Sequence, residues 1–329
     1  MRTTRRIILS TTIMTIGLVG GLSAGLGSTE AAWPERPVTL IVPWAAGGGT
    51  DATGRIVAAM LEERIGQPVN VVNRTGGGGV VGHTDIANAE PDGYTLGVIT
   101  TELSMFHWVG TSPLTFEDFT LYGLYNTDPT AIHVRAGFEA ESLEELMAMI
   151  DAAPGQHRAS GANQGGAAHL GLAGLLQESG RSPDAAPWIP TEGAAPSLQL
   201  LVSDAIDIVS TTMPEVRSMV DAGEVKTLAV MAAERDPAFA DVPTVEEAIG
   251  VAWTTGAWRG IGGPPGMPEE VAEVLVPALE EIVASDEFRD FMAARGFGVT
   301  WAAPDDFATF LATQDTNFGA AMKAVGLAQ

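Results

Sequence analysis

Two glycine loops hold the residues best suited to chemistry. The first, Pro43-Trp44-Ala45-Ala46-Gly47-Gly48-Gly49-Thr50-Asp51, lies between the apolar run Val38-Thr39-Leu40-Ile41-Val42 and a stretch in which Ile56, Val57, Met60, Leu61 and Ile65 share one helical face. Glycines at a strand-to-helix turn let backbone N–H groups converge, and the helix N-terminus adds partial positive charge. The expected product is an anion cradle made mainly of backbone, with Asp51 as N-cap. A tight turn with no ligand is the plain alternative. The second loop, Ala159-Ser160-Gly161-Ala162-Asn163-Gln164-Gly165-Gly166, again follows a strand and precedes a helix, and it adds side-chain donors. Two such cradles facing each other across a cleft could donate to one ligand. His169, in the first turn of the next helix, either packs and caps that loop or touches the ligand.

Other chemistries find little support. Residues 76–82 contain a dinucleotide-type pattern at Gly77, Gly79 and Gly82, and Glu102 lies near the spacing of a ribose-binding acid. Any glycine-rich run satisfies that pattern, however, and Asn73-Arg74-Thr75 delays the turn. No Walker lysine follows a glycine loop, and no Gly-x-Ser-x-Gly elbow is present. The five histidines (His83, His107, His133, His157, His169) never fall at metal-ligand spacing. With 41 acidic residues, chance pairs of carboxylates are certain and carry no weight. Cysteine is absent, which removes disulfides, thiolate metal sites and a lipoprotein anchor. Neither a cofactor, nor a metal, nor a catalytic residue is expected.

The elements that must position the loops alternate strand and helix. Strands are expected at 38–42, 69–72, 95–99, 157–160, 187–189, 206–209 and 227–231. Helices are expected from about 52 to Gly66, from Ser142 (with Glu145, a capping box), and at 167–177, 196–201, 214–221, 268–284, 286–295 and 305–322. Such alternation implies an α/β fold of doubly wound sheets. A mature chain of this length exceeds one core, so two lobes are expected, 33–131 plus 254–329 and 132–253, with crossings near 128–133 and 253–256.

Arg2, Arg5 and Arg6 precede an apolar stretch from Ile7 to about Leu22 and then small residues up to Ala31. This order is that of a cleavable export signal occupying residues 1–31, read by the Sec or Tat machinery; an uncleaved anchor is less favoured because glycines thin the apolar stretch. The 17 basic and 41 acidic residues fall to 14 and 40 once those arginines and Glu30 are removed, a net of −26. Lysine occurs only at Lys226 and Lys323. Such a surface repels nucleic-acid phosphates and anionic lipid, and it suits a protein working in strong salt.

Ordered motifs along nearly the whole mature chain resemble the receptors of the tripartite tricarboxylate transporter family, the Bug proteins. They include Trp33-Pro34-Glu35-Arg36-Pro37-Val38 with the first glycine loop, Asn73-Arg74 with Gly77 and Gly82, and Pro91-Asp92-Gly93-Tyr94-Thr95-Leu96. Further on come Pro154-Gly155, Ser160-Gly161, Gly165 and His169, then Leu228-Ala229-Val230, Val242-Pro243-Thr244 with Glu247, and Trp258-Arg259-Gly260. The resemblance implies a type II periplasmic-binding fold whose two lobes close over a small organic carboxylate. It implies delivery of that ligand to transporter membrane subunits by a monomer without stable membrane insertion. It carries ligand contact to Trp44, Ala46, Gly47, Gly48, Thr50 and Asp51, and to Ser160, Gly161, Ala162 and Gln164. Thr101, Glu102 and Ser104 at a strand end, and Thr191, Glu192 and Gly193, are expected to line the same cleft. Thr191 and Glu192 depart from the family's usual aromatic and lysine, so Glu192 is either a surface acid or the partner of a cationic or hydroxylated ligand group. A carboxylate sensor for a signalling receptor, or a periplasmic enzyme using the same cleft, are the rival readings.

Overall fold

The computed structural model describes residues 33–328; the expected export signal lies outside them. The strands are β1 (Val38–Val42), β2 (Val69–Asn73), β3 (Thr95–Thr100), β4 (Thr120–Arg135), β5 (Ala159–Ser160), β6 (Ile208–Thr212), β7 (Val225–Val230) and β8 (Gly256–Gly263). They form a mixed network in the order β2-β1-β3-β8-β4-β6-β5, with β7 also on β4. β1 pairs in parallel with β2 and β3, β5 pairs in parallel with β6, and β8 runs antiparallel between β3 and β4.

β4 is the long member. Up to Pro129 it pairs with β8; from Thr130 it pairs with β6 and, from Ala131, with β7 as well. Neither β4 nor β8 was expected as a strand, and each hides its character for a physical reason. β4 carries Asn126, Asp128 and Pro129 in its interior. β8 is glycine-rich because neighbours lie flat upon it: a Cβ at Gly260 would come within 2.3 Å of Phe307, and one at Gly262 within 2.1 Å of Ile99.

The helices are α1 (Gly49–Ile65), α2 (Val80–Ala87), α3 (Phe106–Val109), α4 (Leu143–Ala152), α5 (Ala167–Glu178), α6 (Ala194–Val202), α7 (Met213–Asp221), α8 (Val245–Ile249), α9 (Glu269–Ala284), α10 (Asp286–Arg295) and α11 (Pro304–Ala324). Alternation along β1 sorts them onto two faces. Leu40 and Val42 join a core with Val57 and Leu61 of α1 and with Leu275 and Leu279 of α9. Ile41 turns the other way, toward Ile86 of α2 and Phe307 and Leu311 of α11. Each of these side chains, fully buried, contributes about 1.5–3 kcal/mol. Around the second half of β4, Ile132 and Val134 pack with Leu146 of α4, Leu172 of α5 and Val245 of α8, while α6 and α7 bring Leu198, Leu201 and Val216 against Val209.

Cap chemistry sets the ends. Gly66 closes α1 with φ of 68° and donates to the Glu62 carbonyl. Ser142 accepts from Glu145 N at 3.1 Å, but the Glu145 carboxylate takes the Glu141 N–H instead of returning to Ser142, so only half of the expected capping box forms. The N-cap of α1 is Gly48, not Asp51. Asp51 lies inside the first turn and reaches back to Gly47 N at 3.0 Å.

Candidate functional site

Both glycine loops border one cavity of ≈ 60 Å³. On this measure it has room for about four waters, so a larger guest needs the walls to part. The first loop brings Trp44, Gly48 and Thr50 to it; the second brings Gly161 and Ala162; Thr101, Glu102 and Gly193 complete the expected residues on its wall. The remaining expected residues are not on that wall. Ala46, Gly47, Gln164 and Glu192 are solvent-exposed. Asp51 works behind the loop, accepting from Gly47 N, Arg55 and Asn73. Burial raises its carboxyl, and those three partners outweigh burial and bring it below the ordinary value. Ser160 donates to the Ile189 carbonyl at 2.6 Å and lies 2.9 Å from Ser197 Oγ, which Thr191 Oγ1 also reaches. Ser104 is buried away from the cavity. His169 Nδ1 accepts from Gly165 N at 2.9 Å, and its ring lies against Trp188, so the histidine caps the loop.

Helix ends dominate the wall. The first turns of α1 (Gly49, Thr50), α5 (Ala167, Ala168), α6 (Ala194, Ala195) and α7 (Glu215, behind its N-cap Thr212) all line the same space. Each helix end carries roughly half a positive charge.

Three ionisable side chains line the cavity: Glu102, Glu215 and Arg259. Arg259, on β8, is buried. Its Nη1 donates to Asp128 Oδ2 at 2.6 Å and to Asn126, its Nε donates to Thr50 Oγ1 at 3.0 Å, and its Nη2 lies 3.5 Å from Glu215 Oε1. Burial opposes its charge, but Asp128 and Glu215 more than compensate and hold the guanidinium protonated. Glu215 belongs to the capping box of α7 through Oε2, which takes Thr212 N, Thr212 Oγ1 and Thr211 Oγ1; its Oε1 accepts from Gly49 N at 3.3 Å. One carboxylate thus meets the first turns of both α1 and α7. A Cβ at Gly49 would lie 2.8 Å from Arg259 Nη2 and 2.9 Å from Glu215 Cγ, so a larger residue there would displace this ion pair.

Glu102 ends a hydrogen-bond chain. Trp44 Nε1 donates to Thr100 Oγ1 at 3.2 Å, and that hydroxyl donates to Glu102 Oε2 at 2.8 Å. Thr100 N donates to His83 Nε2, so His83 carries its proton on Nδ1 and donates to Gly79 O at 2.8 Å. Burial drives the His83 pKa down to about 4 and keeps it neutral. Burial also pushes the Glu102 carboxyl up, against the Thr100 bond and the field of Arg259.

The third glycine cluster is a spacer. Gly76, Gly77, Gly78 and Gly79 all have positive φ; a Cβ on Gly78 would sit 2.5 Å from Asn163 of the second loop, and one on Gly82 would sit 2.6 Å from Pro43 Cα. The dinucleotide-like spacing therefore serves close packing of this segment against both loops. Sequence reasoning missed Arg259, Glu215, Thr130, Thr211 and Thr212 as cavity residues. The pattern Thr212-x-x-Glu215 was readable as a capping box, and Arg259 stands out as an arginine inside a glycine strand.

A mixed α/β sheet with helix ends converging on one cavity describes a small-molecule binding protein, and the comparisons narrow this class. Residues 53–327 match the model of the tripartite tricarboxylate transporter family receptors, and the chain belongs to that family. A UPF0065 protein of Bordetella pertussis is 30% identical over 96% of both chains, and Protein BugT of the same organism is 28% identical over 92% of this chain and 94% of its own. Among solved structures, the periplasmic binding protein BugD superposes with a TM-score of 0.84 at 28% identity, covering 90% of this chain and 99% of its own. MatC from Rhodopseudomonas palustris, solved with bound malate, gives 0.82 at 27% over 88% and 99%. A further R. palustris protein, solved with adipate, gives 0.85 at 26% over 90% and 99%. Among the described residues, no helix is long and apolar enough to cross a membrane.

Proposed function

We propose that this chain is a periplasmic receptor that captures a small organic carboxylate in the cavity between the two glycine loops and delivers it to the membrane subunits of a tripartite tricarboxylate-type transporter. The convergence of helix N-termini on this cavity carries this reading: those of α5 and α6 have no acid in their first turns, and such ends favour a buried anion without any lysine. Malate and adipate in two structural relatives are of the same chemical class. Residues 33–131 with 254–329 form one lobe and 132–253 the other. The hinge runs through β4, where pairing changes partner between Pro129 and Thr130, and through the chain near Gly256. Ligand contact falls to Trp44, Gly48, Thr50, Gly161, Ala162 and Gly193, with closure of the lobes excluding water. Residues 1–31 act as the export signal, through either Sec or Tat, and the protein works as a monomer without catalytic turnover.

Thermal unfolding in the presence of mono-, di- and tricarboxylates tests this. A ligand at 100 times its Kd stabilises the folded form by about 2.7 kcal/mol, which a melting curve resolves easily. Gly48→Val, which crowds the cavity wall, should erase the shift. A panel in which no carboxylate moves the melting point would sink the proposal.

A further inference from the structure

We infer that the protein has a second binding site, for an uncharged aromatic small molecule, in the cavity between α11 and the segments that carry Met231 and Trp253. The site goes beyond the receptor reading and does not depend on it.

This cavity has a volume of ≈ 630 Å³, against ≈ 60 Å³ for the cavity between the glycine loops. Small-molecule pockets commonly span about 300–1,000 Å³, with apolar and aromatic walls and a few polar groups. The wall fits that description. Leu170, Met231, Trp253, Trp258, Phe310 and Phe318 supply its apolar part, and Thr127, Thr254, Gln314 and Asn317 its polar part. Gln314 and Asn317 stand three apart on α11 and so share one helical face.

Charge decides the class of guest. The chain has 41 acidic residues, yet among the described residues Asp128 is the one ionisable side chain on this wall. Its carboxylate is already engaged. Oδ2 accepts from Arg259 at 2.6 Å, and Oδ1 accepts from Gly298 N at 2.7 Å and from Asn126 at 3.0 Å. An anion finds no counter-charge here and a cation finds no free carboxylate, so burying either costs more than burying a neutral guest. The indoles of Trp253 and Trp258 and the rings of Phe310 and Phe318 offer faces and edges to a flat ring system.

The wall is firmly held. Trp253 Nε1 donates to Gly171 O at 2.9 Å, and a Cβ at Gly174 would come within 2.1 Å of the same indole. Trp258 is 2% exposed and meets Phe310 edge-on, with 5.9 Å between ring centres. Leu170 of α5 and Phe318 of α11 join one apolar cluster with Met105 and Met322. Thr255 Oγ1 and Trp258 Nε1, on the same wall, are buried with no hydrogen-bond partner among the described residues. Either group can turn to a polar atom of the guest without giving up an existing bond. The guest touches α5 and α11 together, and it lies beside Pro129 and Gly256, where β4 changes partners.

Two dyes built on one skeleton test the site in the full mature protein. N-phenyl-1-naphthylamine is neutral, and 8-anilino-1-naphthalenesulfonate adds a sulfonate. Fluorescence titration should show saturable binding of the neutral dye and at least tenfold weaker binding of the sulfonate. Ala321→Phe and Ala232→Phe fill the cavity from α11 and from the opposite wall, and each should weaken the neutral dye at least tenfold. Both alanines are partly exposed, so the folded state should survive, which circular dichroism checks. The inference falls if the neutral dye shows no saturable binding or if the sulfonate binds as tightly. It also falls if both filled variants bind the neutral dye as well as the wild type, since the dye then sits elsewhere. Should one variant not fold, the other variant and the dye pair still decide. No carboxylate enters these titrations, so the receptor reading stands or falls separately.

Discussion

The two glycine loops look alike in sequence and behave oppositely in structure. Each joins a strand to a helix, and each brings backbone to the same cavity. The first loop is backed by charged groups: Asp51 and Arg55, joined by the Asn73 amide, behind it, and Glu215 and Arg259 in front. The second is held by neutral groups only. Ser160, Thr191 and Ser197 share hydroxyl bonds, and a neutral His169 clamps Gly165. A glycine string thus prepares a turn for an anion, but the surrounding side chains decide whether that place is already taken.

The sharpest way to break this comparison is to remove charge from the first side. Arg259→Met leaves Asp128 buried without its cation and should cost about 3–5 kcal/mol in urea unfolding. Ser197→Ala, on the neutral side, should cost only about 1 kcal/mol. Equal losses would mean the two sides are held together in the same way.

Acid should act on both sides. Burial lowers the pKa of His83, next to the first loop, and of His169, in α5 behind the second, from 6.5 to about 4. A folded-state pKa below the unfolded one gives stability that is present above pH 6.5 and lost as pH falls toward 4. Each histidine should account for about 3 kcal/mol across that window. Urea unfolding of the wild type and of His83→Gln and His169→Gln between pH 7 and 4 checks this. A variant whose pH slope equals that of the wild type would show that its histidine is not held neutral.

Substitutions within the loops should separate them by packing. A Cβ at Gly161 would come within 2.0 Å of Ser210 O, so Gly161→Ala should cost about 3 kcal/mol. Asp51→Asn keeps the shape of the first turn but loses the carboxylate, and it should cost about 1–2 kcal/mol. A larger loss for Asp51→Asn than for Gly161→Ala would reverse the ranking of the two loops. The smallest effect belongs to Gly48, where the nearest atom is 3.6 Å away. There Gly48→Ala should change stability by no more than about 0.5 kcal/mol.

Much of the fold was legible because its signals are local. The apolar face of α1, its closing glycine, and the spans of α9, α10 and α11 follow from periodicity and caps. β4 and β8 escaped because sheet position overrides local preference. A central strand pressed by Phe307 and Ile99 needs glycine, and an interior Asp128 is tolerated because Arg259, 131 residues away, and the Gly298 N–H, 170 away, meet it. The loops were legible as cradles for the same local reason. Their contents were not, since Arg259 stands 209 residues from Thr50 in sequence and Glu215 stands 166 from Gly49. Gln164, expected at the ligand, and Glu192, read either as a surface acid or as a ligand partner, are both exposed. No sequence spacing reveals which way a loop side chain points.

The indole rings at the cavity give the protein a built-in optical gauge. Trp44 and Trp258 lie on its wall and are 7% and 2% exposed. Any movement that admits solvent or drives it out alters the polarity around those two chromophores. Their emission colour therefore reports opening and closing in unlabelled protein, and replacing either one in turn identifies which wall has moved.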